Sequence, residues 1–91
     1  MQLKDLLIHV FQQSELENPK IALEELPTGT VQGTIISHTF SGQPLARNTR
    51  LILSILEKSI PKDKRKLIKE IVPITPEQQD VIDDFEREVK H

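Results

Sequence analysis

One stretch near the middle of the chain, residues 30–59, constrains the fold more than any other. Its first part, residues 30–37, is rich in β-branched side chains, which favour a strand. A turn, Ser41-Gly42-Gln43-Pro44, follows, and its proline suits the first position of a helix. The helix should end before Pro61, because proline cannot continue it. Its predicted buried stripe consists of residues three or four apart, namely Leu45, Thr49, Ile52, Ile55, Leu56 and Ser59.

A helix and a second strand are predicted before this stretch. The first helix should end before Asn18-Pro19, because the residue before a proline avoids the helical region. Residues 20–26 are predicted as a strand, and the turn Pro27-Thr28-Gly29 should pair it with residues 30–37 in a hairpin. Gly33 indicates a bulge or a close approach by a helix. The apolar stripe of the first helix is formed by Leu3, Leu6, Leu7, Val10 and Phe11.

Three more elements are predicted after Pro61. Residues 61–66 are polar, with room for one short helical turn, and residues 67–72 alternate as in a third strand, although a run this short also fits a helix. The run Thr75-Pro76-Glu77-Gln78 is a capping box with proline at the first helical position. The helix that it starts carries one apolar stripe, formed by Val81, Ile82, Phe85 and Val89.

The predicted order of elements is α-β-β-α-(α)-β-α. The third strand follows a helix, so it should reach the sheet by a crossover and not by a tight turn. The order predicts an α+β fold, with a three-stranded sheet and helices packed on one face. A length of 91 residues is that of one domain, so residues 1–91 are predicted as a single domain with residues 80–91 as a C-terminal helical extension.

The central stretch resembles the signature of the BolA family. In that family a strand ends in Ser-x-x-Phe-x-Gly, and a helix follows with Leu-x-x-Arg-His-Arg. The residues that match in register are Ser37, Phe40, Gly42, Leu45 and Arg50, and Thr75-Pro76-Glu77 matches the start of the family's Thr-Pro-Glu-Glu-Trp ending. The chain departs from the pattern at Thr49, where the family has a histidine, and at Gln79, where it has the tryptophan. The resemblance covers about residues 3–79 and implies a BolA-like fold of the class II KH type.

The resemblance implies a non-enzymatic protein with a protein partner. BolA proteins bind monothiol glutaredoxins and share a [2Fe-2S] cluster with them, through a histidine near the last strand and a Cys or His in the hairpin loop. The first ligand falls near Leu67, and the loop of residues 25–29 has neither imidazole nor thiol. Iron in such clusters needs Cys or His donors, and Glu25 is a poor substitute. We therefore expect no cofactor, and an interaction or regulatory module in iron–sulfur homeostasis or the stress response.

The charges fall in three blocks along the chain. Residues 44–69 hold eight basic residues and two acidic ones, whereas residues 70–91 hold seven acidic residues and two basic ones. Such blocks either neutralise one another on folding or create a polarised surface for partners. The predicted partner or anion site consists of Arg47, Arg50, Lys62, Lys64, Arg65, Lys66 and Lys69. Its alternative is a solvated face, in which the arginine stems pack on the sheet edge.

Nucleic acid is the second candidate partner for the basic segment, in a transcription regulator. Three features oppose it: the pI of about 5.9, the scarcity of aromatic residues, and the lack of a Gly-x-x-Gly loop. The histidines His9, His38 and His91 lack metal-site spacing, and His38 is read as an exposed polar residue at a strand end. No catalytic constellation and no cysteine is present, and no apolar run is long enough for a membrane span. The sequence predicts a cytoplasmic protein that is not an enzyme.

Overall fold

The protein has the α+β layout and the order of elements that the sequence predicts. The computed structural model describes residues 2–89, with side chains described for residues 2–84. Among these residues there are four helices and a three-stranded sheet, and the hydrophobic core is formed by α1, α2, the sheet and the segments next to them. The helices are α1 (Leu3–Gln12), α2 (Leu45–Ser59), α3 (Lys62–Arg65) and α4 (Pro76–Val89), and the strands are β1 (Lys20–Glu25), β2 (Val31–Ile36) and β3 (Ile68–Ile74), with a 3-10 turn at His38–Phe40.

The middle strand of the sheet is β2. It pairs antiparallel with β1 and parallel with β3, so β1 and β3 are the two edge strands. A parallel neighbour cannot be reached by a tight turn, and the chain passes through α2 and α3 between β2 and β3. The predicted crossover is therefore confirmed. None of the helices within residues 2–89 has the length and apolar character needed to cross a bilayer.

The predicted hairpin turn joins β1 to β2. The backbone N–H of Leu26 donates to the Thr30 carbonyl at 2.8 Å, and that of Gly29 donates to the Leu26 carbonyl at 2.8 Å. Gly29 has a φ of +86°, a conformation that side chains with a Cβ rarely adopt. The loop thus has the chemistry of a three-residue hairpin, with glycine at the left-handed position.

Gly33 marks a close approach, but its neighbour is a strand and not a helix. A Cβ at this position would overlap the carbonyl oxygen of Ala22 and lie 2.9 Å from the Leu23 Cα. Both atoms belong to β1, which pairs with β2 at this point. Gly33 itself is not a bulge, since it pairs regularly with Leu23 and Ile71; the register shift at Val31/Gln32 leaves Lys69 of β3 as the extra residue. The glycine therefore permits the pairing of two backbones that a methyl group would separate.

Helix α1 buries the predicted stripe and ends before Asn18-Pro19, as predicted. Leu7 and Phe11 are fully buried, and the other apolar residues of the stripe pack partly against the core. The helix ends at Gln12, and the Ser14 hydroxyl donates to the Phe11 carbonyl at 2.6 Å just beyond its end. Asn18 lies in the segment that follows, with a φ of +40°.

Helix α2 is rotated relative to the prediction. Its buried residues are Asn48, Ile52, Ile55 and Leu56. Leu45, Thr49 and Ser59, which were predicted to face inward, are exposed. The rotation follows from Asn48, which is buried because its side-chain amide donates to the Phe40 carbonyl at 3.1 Å. Pro44 is the N-cap of α2 and not its first helical residue.

The third strand and the last helix lie close to their predicted positions. Strand β3 is displaced toward the C-terminus from residues 67–72, which leaves Leu67 before the strand and 42% exposed. The capping box is confirmed in both directions, since the Gln78 N–H donates to the Thr75 hydroxyl at 3.1 Å and the Thr75 N–H donates to the Gln78 Oε1 at 2.9 Å. Pro76 is the first residue of α4, as predicted.

Candidate functional site

An apolar groove lies between α2 and the edge strand β3. It has a volume of about 330 Å³. Two large side chains in it are exposed to solvent, since Leu45 is 64% exposed and Leu53 is 52% exposed. The groove exists because α2 turns Asn48 and Ile55 toward the core, which leaves the adjacent side of the helix beyond the edge of the sheet. Its lining residues are Leu45, Thr49, Ile52, Leu53, Leu56, Ile68, Lys69, Glu70, Ile71, Val72 and Pro73.

The β3 edge at the floor of the groove lacks a backbone donor at Pro73. The Ile74 carbonyl faces β2, where it accepts from the Ser37 N–H at 3.1 Å. Since the backbone groups of successive residues point to opposite sides of a strand, Pro73 presents its nitrogen to the free edge. Proline has no N–H, so this position cannot donate to an added strand. The edge is therefore interrupted for strand addition at this position, whereas the groove beside it offers apolar side chains.

The charged residues of the predicted site divide into two groups. Lys69 lines the groove, and Arg65 lines an adjoining hollow at the α3 end, together with Leu53 and Leu56. Acidic side chains, Glu70 and Glu57, line the same surfaces. The Nε of Arg65 is buried and has no hydrogen-bond partner. Around α3, the exposed residues Lys62, Lys64 and Lys66 add positive charge to this end.

The two arginines of α2 lie on different sides of the helix, one beside the groove and one away from it. Arg50 and Arg47 are both exposed. Arg50 lies three residues before Leu53, so it stands beside the groove on the helix surface. Arg47 lies farther round the helix, away from Leu45 and Thr49. The predicted set is thus not one patch, because Arg47 stands apart from the residues at the groove.

The first half of the matched motif has a structural role. Phe40 is fully buried in the core, and Ser37 is 2% exposed. The Ser37 hydroxyl donates to the Glu17 carbonyl at 2.8 Å and accepts from the Thr39 N–H at 3.2 Å, which caps the 3-10 turn. Gly42 follows with a φ of +74°. The motif thus holds the turn between β2 and α2 in a fixed conformation.

Sequence reasoning missed Asn48 and Leu53, although both follow a readable pattern. Asn48 is spaced at helical intervals from Ile52, Ile55 and Leu56, but the predicted stripe placed Thr49 beside these apolar residues in place of the asparagine. The Oδ1 of Asn48 is buried without a partner. Leu53 stands eight residues after Leu45 and four after Thr49, which places all three on one side of α2.

A polar cluster joins the start of α4 to the turn before α2. The Ser41 hydroxyl donates to the Glu77 Oε2 at 3.2 Å. The pKa of Glu77 is lowered, first by a backbone N–H at the start of the helix, then by the hydroxyls of Ser41 and Thr75 and by the positive charge of His38. Glu77 is exposed, so the cluster fixes the position of the helix more than it stabilises the fold.

The described part of the chain includes no side-chain cluster that fits a metal site. Within the described residues, no group of three or more His, Cys, Asp or Glu side chains could hold a metal ion. His9 and His38 are exposed, and His91 lies outside the described residues. Thr49 faces the groove and Leu67 precedes β3, so neither position of the family's histidines offers a donor to iron.

Comparison with known proteins gives no relative to guide the functional interpretation. No protein-family model, no curated protein and no solved structure matches this chain significantly. The groove and the resemblance of the motif are therefore the two guides to function.

Proposed function

We propose that this domain is a non-enzymatic interaction module that binds a protein partner in the groove between α2 and β3. The observation that carries the proposal is the pair of exposed leucines, Leu45 and Leu53, at the mouth of an apolar groove. Exposed apolar side chains are common singly, but a contiguous apolar surface with a charged rim is typical of a binding site. A residue of the predicted partner site, Lys69, also lines this groove.

The BolA-like resemblance supports the same surface. Of the matched residues, Ser37, Phe40 and Gly42 serve the fold, whereas Leu45 and Arg50 lie at or beside the groove. The second half of the motif therefore has no packing role that would explain it. By family analogy the partner is a monothiol glutaredoxin, in iron–sulfur homeostasis or stress regulation. This chain would contribute the binding surface but no cluster ligand of its own.

The shape of the groove favours a helical partner segment. An added strand would meet Pro73 at the free edge of β3, where no N–H is available. An amphipathic helix needs only apolar pockets and a polar rim, both of which the groove supplies. Arg65 and Lys69, with Arg50 beside them, favour acidic residues next to the apolar face of the partner.

Nucleic acid is the alternative partner, and the basic residues around α3 are the observation that favours it. Lys62, Lys64 and Lys66 are exposed in a block where basic residues outnumber acidic ones by eight to two. Phosphate contacts from such a block would make binding strongly dependent on salt. The apolar lining of the groove and the scarcity of aromatic side chains favour a protein partner over bases.

The test compares two variants of α2 that change the net charge equally. Leu53→Glu places a carboxylate at the mouth of the groove, and Lys58→Gln removes a charge from an exposed position on another side of the helix. A partner of the groove, purified glutaredoxin first among them, should bind the wild type and Lys58→Gln alike. Its affinity for Leu53→Glu should fall by about tenfold or more, the loss expected at a central interface residue.

Two results would count against the proposal. If glutaredoxin and every protein captured from lysate bind Leu53→Glu as well as the wild type, the groove is not the site. If short DNA or RNA binds at near-physiological salt with submicromolar affinity, and the binding weakens as salt rises, the nucleic-acid alternative replaces the protein-binding proposal.

A further inference from the structure

We propose that the groove between α2 and β3 receives helix α4 of a second copy of this chain. This inference rests on the proposed function, since it names an occupant for the same groove. The proposal rests on two surfaces of the chain, an apolar stripe on α4 that is exposed to solvent and an unfilled apolar groove between α2 and β3. The two surfaces belong to one sequence, so every copy of the chain holds both halves of the contact.

The stripe of α4 faces away from the core of its own domain. Val81 is 68% exposed and Ile82 is 41% exposed. Gln79 and Asp83, on another side of the helix, are partly covered and are joined by a hydrogen bond of 2.8 Å. The side chains of Phe85 and Val89, which the sequence also assigns to this stripe, lie outside the described residues. An apolar stripe turned to solvent on a helix of this length indicates a surface that another element covers.

The charges of the two surfaces are complementary. Helix α4 carries six acidic residues and one basic residue, and the stretch of residues 44–69 that supplies α2 and α3 carries eight basic and two acidic residues. On α4, Glu77 lies four residues before Val81 and Asp84 lies three residues after it, so both acidic residues flank the stripe. Within the groove and its adjoining hollow, Lys69 and Arg65 are balanced by Glu70 and Glu57, so the excess positive charge lies on the exposed residues around them, Arg50, Lys62, Lys64 and Lys66. An acidic helix in a groove with basic surroundings gains attraction on approach and a preferred register.

The contact is expected between copies rather than within one copy. The start of α4 is fixed by the capping box of Thr75 and Gln78 and by the hydrogen bond from Ser41 to Glu77. To reach its own groove, the helix would have to reverse direction at Thr75 and lose these bonds. A second copy meets the stripe without breaking any of them. Two copies that exchange α4 reciprocally would form a closed dimer with two equal contacts.

The arrangement allows a complementation experiment with two exposed residues. Val81→Glu places a carboxylate in the apolar stripe of α4 and leaves the groove of the same copy unchanged. Leu53→Glu places a carboxylate in the groove and leaves α4 of the same copy unchanged. In a dimer of either variant alone, both contacts between α4 and the groove contain a glutamate substitution. An equimolar mixture can form one contact without a substitution, in which the unchanged α4 of Leu53→Glu lies in the unchanged groove of Val81→Glu. Lys58→Gln serves as the control for changed charge on α2.

The measurement is sedimentation velocity of the full chain over total concentrations from about 10 µM to about 1 mM, the range suited to a small interface. The wild type and Lys58→Gln should shift from monomer toward dimer as the concentration rises. Both single variants should stay monomeric, and their mixture should associate at least about tenfold more tightly than either alone. Circular dichroism of each variant should match the wild type, because both positions are exposed.

The inference is overturned if the wild type stays monomeric throughout, or if it dimerises but the mixture of variants does not recover association. A wild type that is monomeric yet binds glutaredoxin through Leu53 would refute the second copy as occupant and leave the proposed function standing. Dimerisation that neither Val81→Glu nor Leu53→Glu affects would place the interface elsewhere and refute the inference.

Discussion

Replacing Phe40 by alanine should remove a large part of the stability of this domain. The ring is fully buried, and its backbone carbonyl accepts the hydrogen bond that fixes Asn48 and thereby the rotation of α2. Truncating a buried phenylalanine costs about 3–5 kcal/mol, through lost burial and the cavity that remains. A 91-residue domain has a total free energy of unfolding of roughly 5–14 kcal/mol. The substitution should therefore consume between a quarter and nearly all of it.

The assay is unfolding in urea, followed by circular dichroism, with two matched variants. Phe40→Leu keeps much of the buried side chain and should lose less stability than Phe40→Ala. Leu45→Ala removes a motif residue that is 64% exposed, and it should cost under about 1 kcal/mol. The reasoning is refuted if Phe40→Ala costs less than about 1 kcal/mol, or no more than Leu45→Ala, because either result would place the ring outside the core.

Three further predictions follow from the same structure. Gly33→Ala should destabilise the fold by about 1–3 kcal/mol or more, because the new methyl group overlaps the carbonyl oxygen of the neighbouring strand. Gly29→Ala has open space around it and should cost only about 1 kcal/mol. Equal losses of stability for the two variants in thermal melts would contradict this account. Charge reversal at Arg50 and Lys66 should change stability by under about 0.5 kcal/mol and should slow association with an acidic partner, with a weaker salt dependence; unchanged rates at two salt concentrations would make these residues a solvated face. Anaerobic reconstitution of the purified chain alone should give no [2Fe-2S] absorption spectrum, since the sequence has no cysteine; a stable, stoichiometric spectrum would overturn the prediction.

The candidate site was only partly predictable from the sequence. The basic residues were identifiable as a group, but the sequence could not separate Arg47 from Lys69, because their relation depends on how far α2 is rotated on the sheet. Leu53 gave a weak signal, since one leucine on a helix is equally compatible with core and surface. The groove itself had no signal, because it forms between two elements that are distant in the chain.

Local chemistry determined the order of the elements and several of their ends. The hairpin turn depends on a glycine at a left-handed position, and the capping box depends on Thr75 and Gln78 only three residues apart. The motif around Phe40 placed that ring in the core. Each of these features is fixed by interactions among near neighbours, so the sequence carries them without knowledge of the rest of the fold.

The tertiary structure decided which side of α2 is buried. The apolar residues of that helix span more than one side, so periodicity alone allowed Leu45 and Thr49 to face inward. Asn48 lies on the buried side with Ile52, Ile55 and Leu56, and its side-chain amide donates to the Phe40 carbonyl there. Leu45 and Leu53 therefore lie on the exposed side of the helix, beside the edge strand β3. The rotation of α2 on the sheet depends on contacts with residues outside the helix, which the periodicity of the helix does not encode.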